Sequence, residues 1–122
     1  MKIEKLFVKD QHKINVIRIK NITHISCSGY VCTIHTQSTQ FIVSKLLKEF
    51  EIEFAESNFI RINHSTLVNL EYVENIEIGT NYLMNLSTGI SLKISRRKIQ
   101  MVEKLLKSQS IKPLTIKKST TY

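Results

Sequence analysis

The sequence predicts a mainly β domain of short antiparallel strands with two short helices. Short runs such as 59–62 and 90–95 alternate apolar and polar side chains, which is the period of a half-buried strand. Compact polar turns separate these runs, and helical spacing replaces the alternation twice, after Ser44 and after Ser95. At 122 residues, the chain is expected to form one domain with a real core.

The first third of the chain is a series of short apolar runs separated by turn residues. Asp10 and Gln11 predict a hairpin turn, and the segment Ser26 to Gly29 predicts a second turn. The run 14–19 is apolar on both parities, which indicates a strand covered on both faces or interrupted by a bulge. The strands predicted here are 6–8, 14–19, 30–36 and 39–43.

The rest of the chain contains both predicted helices. Ser44 is predicted to cap the first helix, which should end near Phe54, and Ser95 is predicted to cap the second. Strands are expected at 59–62, 72–78, 82–86 and 90–94, and the apolar stripe of the second helix is Ile99, Val102, Leu105 and Leu106. We expect one domain at 1–107 and a flexible basic tail at 108–122.

The net charge of +8 is distributed unevenly, because basic regions flank an acidic centre. Residues 49–77 contain seven Glu and a single cation, Arg61. A fold with one basic face favours nucleic acid or an anionic membrane as a partner, and salt should weaken that binding. No signal peptide is evident and no apolar run approaches the ~18 residues of a membrane helix, so we expect a cytoplasmic protein without a membrane partner.

Catalytic and metal-binding patterns are weak. The four His are scattered, and no two stand at metal-ligand spacing on one helix. Cys27 and Cys32 are predicted to be isolated reduced thiols, which fits the cytosol. Cys32 and His35 have opposite parity on a strand, which disfavours a nucleophile–base pair. We therefore expect neither an enzyme nor a cofactor.

Two polar segments carry the strongest functional signal. Residues 63–66 place four hydrogen-bonding side chains between apolar anchors, and the alternative is an ordinary polar turn. Ser95 is followed by Arg96, Arg97 and Lys98, which puts three cations in the first turn of a helix, against its macrodipole. A phosphate docked there would turn that penalty into a gain, whereas the alternative is that these side chains extend into water.

Three segments resemble the LytTR family, the bacterial DNA-binding domains of LytR/AlgR-type transcription regulators. FIRINHSTLVNLEYVENIE (59–77) resembles the central signature of that family, LKISRRK (92–98) its closing motif, and ISCSGYVCTIHT (25–36) its early strand–loop–strand. The resemblance implies an elongated set of small antiparallel sheets whose loops enter successive major grooves. It also implies dimers on repeated sites and a receiver domain or signalling protein supplied elsewhere.

By motif position, the resemblance implies three segments that contact double-stranded DNA. The residues are Ser28, Gly29 and Tyr30, then Arg61, Asn63, His64 and Ser65, and finally Arg96, Arg97 and Lys98. The expected function is sequence-specific DNA binding in transcription regulation. One alternative is a module of the same fold that antagonises or dimerises with a full-length regulator without binding DNA. Another is a general RNA-binding β domain, which usually stacks bases on more aromatics than this surface offers.

Overall fold

The computed structural model describes residues 2–109 and 114–116. Within these residues the chain forms ten strands and two α-helices. The strands are Lys5–Lys9 (β1), Ile14–Arg18 (β2), Ile22–Ser28 (β3), Val31–Thr36 (β4), Gln40–Ser44 (β5), Phe59–Asn63 (β6), Thr66–Asn69 (β7), Val73–Glu77 (β8), Tyr82–Leu86 (β9) and Ser91–Ile94 (β10). The helices are Leu47–Glu53 (α1) and Arg96–Ser108 (α2).

The strands form three antiparallel sheets. β1 and β2 form a hairpin, five strands pair in the order β5-β4-β3-β7-β6, and three pair in the order β10-β9-β8. The pairing of β3 with β7 is the step that joins distant parts of the chain in the five-stranded sheet. The predicted fold class, mainly β with small antiparallel sheets and two short helices, is confirmed.

Two apolar cores lie on opposite faces of the five-stranded sheet, because alternate residues of a strand point to opposite faces. The β1–β2 hairpin and α1 cover one face, where Ile25, Ile34 and Phe50 belong to the same buried cluster. The three-stranded sheet and α2 cover part of the other face, where Ile62 and Val102 belong to the second cluster. The large apolar side chains of both cores hold the strand ends, and therefore their turns, in fixed positions.

Four local predictions were wrong. The strand at 14–19 is neither covered on both faces nor bulged, because Ile14 and Val16 are exposed and β2 pairs with β1 in regular register. Ser44 is not a helix cap but the last residue of edge strand β5, opposite Val31, and α1 begins at Leu47. The predicted turn at 26–29 is mostly the end of β3, which pairs with strands on both sides, so ladder bonds prevail over its polar composition. Thr66 is not part of a loop, because it is a buried residue of β7.

The prediction of two reduced thiols was also wrong. Cys27 and Cys32 are joined by a disulfide and stand directly opposite each other in the β3–β4 pair, with their Cα atoms 4.0 Å apart. The cause is the register, because a two-residue turn at Gly29 and Tyr30 folds the chain back on itself. Sequence spacing alone did not reveal that register.

No helix in the described part of the chain is long and apolar enough to cross a membrane. Helix α2 continues to Ser108, and most of the tail predicted at 108–122 lies outside the described residues. The domain boundary at residue 107 therefore stays a prediction.

Candidate nucleic-acid interface

The structure brings the three predicted segments together at one end of the five-stranded sheet. We call them loop 1 (28–30), loop 2 (63–65) and the helix start (96–98), and we call their common location the contact end. The backbone N–H of Cys27 donates to the Ser65 carbonyl at 2.8 Å, which joins the two loops. The N–H of Ser95 donates to the Ile62 carbonyl at 2.9 Å, which places the helix start beside loop 2.

Loop 2 is a two-residue turn that Asn63 holds through its side chain. The Oδ1 of Asn63 accepts from the Ser65 N–H at 2.8 Å and from the Ser65 hydroxyl at 3.1 Å. Its Nδ2 donates to the carbonyl of Lys93 at 2.7 Å, which links loop 2 to β10. The side-chain amide therefore holds the loop in place from both of its ends, as in an Asx-turn.

Arg61 supports the same loop from behind. Its Nη2 donates to the His64 carbonyl at 2.6 Å and its Nε donates to the Asn63 carbonyl at 3.3 Å. Its Nη1 lies 3.3 Å from a carboxylate oxygen of Glu51 on α1. All three guanidinium nitrogens are thus engaged within the fold, although a quarter of the side chain stays exposed and the family resemblance implied a DNA contact.

His64 has the opposite character. Its side chain is exposed, and its ring makes no hydrogen bond to any residue that the structure describes. The side chain of Ser65 keeps acceptor capacity while its hydroxyl proton is directed to Asn63. Of the polar side chains predicted in loop 2, His64 is the one that is free to meet a ligand.

Loop 1 is held by its backbone and by the disulfide behind it. Gly29 has a φ of 61°, in the left-handed region that a two-residue hairpin turn requires. The Lys45 N–H donates to the Tyr30 carbonyl at 2.8 Å. Tyr30 is 74% exposed, so its ring projects from the contact end.

The helix start presents cations without nearby acids. Ser95 occupies the N-cap position, but its side chain makes no capping hydrogen bond, and the first turn of α2 contains no acidic residue. Arg96 and Arg97 are exposed and have no ion-pair partner among the described residues. The positive end of a 13-residue helix and three cations therefore meet at one place.

The acidic centre of the chain is partly neutralised beside this end. Glu51 is paired with Arg61, and the Glu53 carboxylate accepts from Lys45 at 2.7 Å. One further cation near this end is Lys48, on α1. It lines a cleft between loop 1 and loop 2 with Gly29, His64 and Ser65. Only the fold could reveal this position, because α1 follows β5 back to the contact end.

A histidine pair lies within the sheet. His24 and His35 stack with their ring centroids 4.0 Å apart, and the Thr23 and Ser26 hydroxyls each lie 2.9 Å from one ring nitrogen. Burial, with a smaller contribution from the charge of His35, lowers the pKa of His24 to about 4, and burial also lowers the pKa of His35. Within the described residues no three His, Cys, Asp or Glu groups are arranged to hold a metal ion.

Comparison with known proteins gives a consistent result. Residues 12–107 match the family model described as "LytTr DNA-binding domain". The chain is 24% identical over 101 residues to "Sensory transduction protein LytR" of Staphylococcus saprophyticus, covering 81% of this chain and 40% of that protein. It is 26% identical over 104 residues to "Sensory transduction protein LytT" of Bacillus subtilis, covering 84% of this chain and 43% of that protein. The chain thus spans about two fifths of these relatives.

A solved structure has the same fold. It is described as the "LytTr DNA-binding domain of putative methyl-accepting/DNA response regulator from Bacillus cereus". The TM-score is 0.74 at 17% sequence identity, and the match covers 84% of this chain and 96% of that one. At this identity the match supports the fold and says nothing about individual side chains.

Proposed function

This chain belongs to the LytTr DNA-binding domain family, and we propose that it binds double-stranded DNA sequence-specifically in transcription regulation. The observation that carries the proposal is the contact end, where two tight loops and a basic helix start are joined by backbone hydrogen bonds. A rigid surface of this kind loses little entropy on binding. We take the domain to span residues 1–107.

We assign phosphate contacts to the helix start. Arg96, Arg97 and Lys98 stand where free backbone N–H groups and the helix dipole also favour an anion. One of the two arginines is proposed to reach a guanine, since a guanidinium pairs with two acceptors of that base in the major groove. Lys48 is a further phosphate contact in this proposal, because it lines the cleft between the loops.

We assign base reading in loop 2 to His64. Asn63 and Arg61 are assigned as positioning residues, because their donors and acceptors are engaged within the fold. In loop 1, Tyr30 packs on the sugar–phosphate backbone or a thymine methyl, and Ser28 and Gly29 let the backbone approach closely.

We also propose that a signal reaches this domain from a receiver domain or signalling protein outside residues 1–107. The relatives described above are named sensory transduction proteins, and this chain spans about two fifths of them. We further propose that two copies bind repeated DNA sites as a homodimer.

Selection of bound duplexes from a random pool, followed by fluorescence anisotropy, tests the function. His64→Ala and Arg96→Ala are expected to weaken binding to the selected site by roughly 10-fold or more, unevenly across sequences. Lys104→Ala is the matched control, because it removes an exposed cation two turns further along the same helix and should change affinity less than about 2-fold.

The competing functions give different results in that experiment. An antagonist without DNA binding yields no enriched duplex and no salt-dependent affinity. An RNA-binding domain prefers single-stranded RNA to the selected duplex at equal salt. Equal losses for Arg96→Ala and Lys104→Ala would remove the helix start from the site.

A further inference from the structure

The end of the five-stranded sheet opposite the contact end contains a cleft of about 570 Å³, which we call the far cleft. Strands β3 and β6 begin at this end and β7 ends there, whereas loops 1 and 2 lie at the other ends of the same strands. The cleft is lined by residues 2–5, 18–20 and 57–59, together with Asn69, Glu71 and Tyr72. Its volume is typical of small-molecule sites.

Hydrogen bonds within the chain hold the walls of the far cleft together. The Ile19 N–H donates to the Glu4 carbonyl at 2.9 Å, which fixes the N-terminal segment against the turn that follows β2. The Tyr72 hydroxyl donates to the Lys20 carbonyl at 2.8 Å, which joins that turn to the segment after β7. The cleft is therefore already formed in the fold, and a ligand would not have to order these segments.

The lining of the far cleft carries an excess of positive charge. Four of its residues are exposed cations without an ion-pair partner in the described part of the chain: Lys2, Lys5, Arg18 and Lys20. Lys5 stands directly opposite Arg18 in the β1–β2 pair, so their like charges repel each other. The lining also contains two acids, Glu4 and Glu71, and Glu71 already accepts from the Asn58 amide at 2.9 Å. An anionic ligand would relieve this repulsion.

Apolar side chains form another part of the same lining. Ile19 is buried, and Ile3 and Phe59 are half-buried against the same core. A small inorganic anion would leave these side chains in contact with water. A ligand that has an apolar body as well as a charge would cover them.

Ser57 adds a hydrogen-bonding group that has no partner within the fold. Its N–H donates to the Phe54 carbonyl at 2.9 Å, and its carbonyl accepts from the Phe59 N–H at 2.8 Å. Its hydroxyl oxygen, in contrast, is buried and makes no hydrogen bond to any described residue. A buried hydroxyl without a partner is unfavourable. Rotation about χ1 would turn this hydroxyl into the cleft, where a ligand oxygen would accept from it.

We propose that the far cleft binds a small organic anion with a flat apolar body, of the class of aromatic carboxylates. The carboxylate pairs with Arg18 and Lys20 and accepts from the Ser57 hydroxyl, and the ring packs on Ile19 and Phe59. This site lies away from the contact end and needs no DNA. Its failure would therefore leave the proposed function unaffected.

The test is a titration of the full chain with naphthoate, without DNA, followed by the NMR shifts of the backbone amides. The amides of Lys20 and Phe59 should shift saturably, whereas those of Gly29 and Ser65 at the contact end should not. Naphthalenemethanol carries the ring without the charge and inorganic phosphate carries the charge without the ring, so each should bind at least about 10-fold more weakly. Equal affinity for either compound would overturn the proposal, as would no saturable naphthoate binding up to about 10 mM.

Variants identify the residues that bind the anion. Arg18→Gln/Lys20→Gln should raise the dissociation constant for naphthoate at least about 10-fold. Lys9→Gln is the matched control, because Lys9 is an exposed cation of the same hairpin outside the cleft, and it should change the constant less than about 2-fold. Ser57→Ala should raise the constant about 5-fold without lowering the thermal unfolding midpoint, since its hydroxyl has no partner in the fold.

Two further results would contradict the assignment. An equal loss of naphthoate affinity for Lys9→Gln and Arg18→Gln/Lys20→Gln would show that the anion is attracted by net charge alone. Displacement of naphthoate by an excess of duplex DNA would assign the cations of the far cleft to DNA binding. Either result would overturn the proposal.

Discussion

Loop 1 and loop 2 are both two-residue turns at the contact end, but they are held in different ways. Loop 2 is held by polar side chains, because the Asn63 amide and the Arg61 guanidinium bond its backbone. Loop 1 is held by the left-handed Gly29 and by the Cys27–Cys32 disulfide at its base. Hydrogen bonds from side chains therefore hold loop 2, whereas a glycine and a covalent bond hold loop 1.

A polar residue in a candidate contact loop is therefore not by itself a contact residue. The Asn63 and Arg61 side chains already form hydrogen bonds that hold loop 2, which leaves His64 free to contact a ligand. In loop 1 the side chains of Ser28 and Tyr30 both stay exposed, because glycine and the disulfide determine the backbone.

Asn63→Ala should have the largest effect. It removes three hydrogen bonds of loop 2, so we expect DNA affinity to fall about 30- to 100-fold, or about 2–3 kcal/mol, and the thermal unfolding midpoint to fall as well. His64→Ala should lower affinity alone. Anisotropy and calorimetry measure both quantities, with Asn81→Ala in an exposed turn as the control. An unchanged unfolding midpoint for Asn63→Ala would instead indicate that Asn63 contacts the DNA bases directly.

Reduction of the disulfide tests the support of loop 1. Opening this short covalent ring should lower the free energy of unfolding by about 2 kcal/mol, because the unfolded chain regains conformational freedom. Urea denaturation with and without a dithiol measures the change. A Cys27→Ser/Cys32→Ser variant should not respond to the dithiol, and an identical midpoint for the oxidised and reduced wild type would contradict the expectation.

Acid should destabilise strand β3, which carries loop 1 and pairs with β7 next to loop 2. The pKa of His24 is about 4 in the fold and near 6.5 when unfolded, so the unfolded chain binds the proton more readily. Its contribution to stability is complete above pH 6.5 and is lost as the pH falls towards 4. Between pH 7 and 5.5 we expect a loss on the order of 1 kcal/mol. Denaturant titration of His24→Gln should show a flatter pH profile than that of the wild type, and an equally steep profile would contradict the assignment to His24.

Gly29→Ala should have the smallest effect. A Cβ at this position meets no atom within 4 Å, so the cost comes from the positive φ alone and should be about 1 kcal/mol of stability. Gly79 has no positive φ, so Gly79→Ala is a suitable control. Thermal unfolding measures both, and equal midpoints for the two variants would mean that loop 1 does not need its left-handed residue.

Local patterns in the sequence predicted the strands and the candidate segments. Alternation at 59–62 and the cations after Ser95 are short-range signals, and both lie where the sequence indicated. What the sequence did not reveal depends on partners far along the chain. The Asn63 amide bonds a carbonyl 30 residues away, and the Cys27–Cys32 bond depends on a register that the turn sets. Local sequence patterns predict neither of these two contacts.

The internal ion pairs of Arg61 and Lys45 also change what a salt titration will count. Salt dependence arises because protein cations release the counterions that are condensed on DNA. A cation that is already paired with a carboxylate should release none of them. Binding should therefore follow the logarithm of salt concentration with a slope set by about four cations, Lys48 and the three of the helix start. The other basic side chains of the molecule should not change this slope.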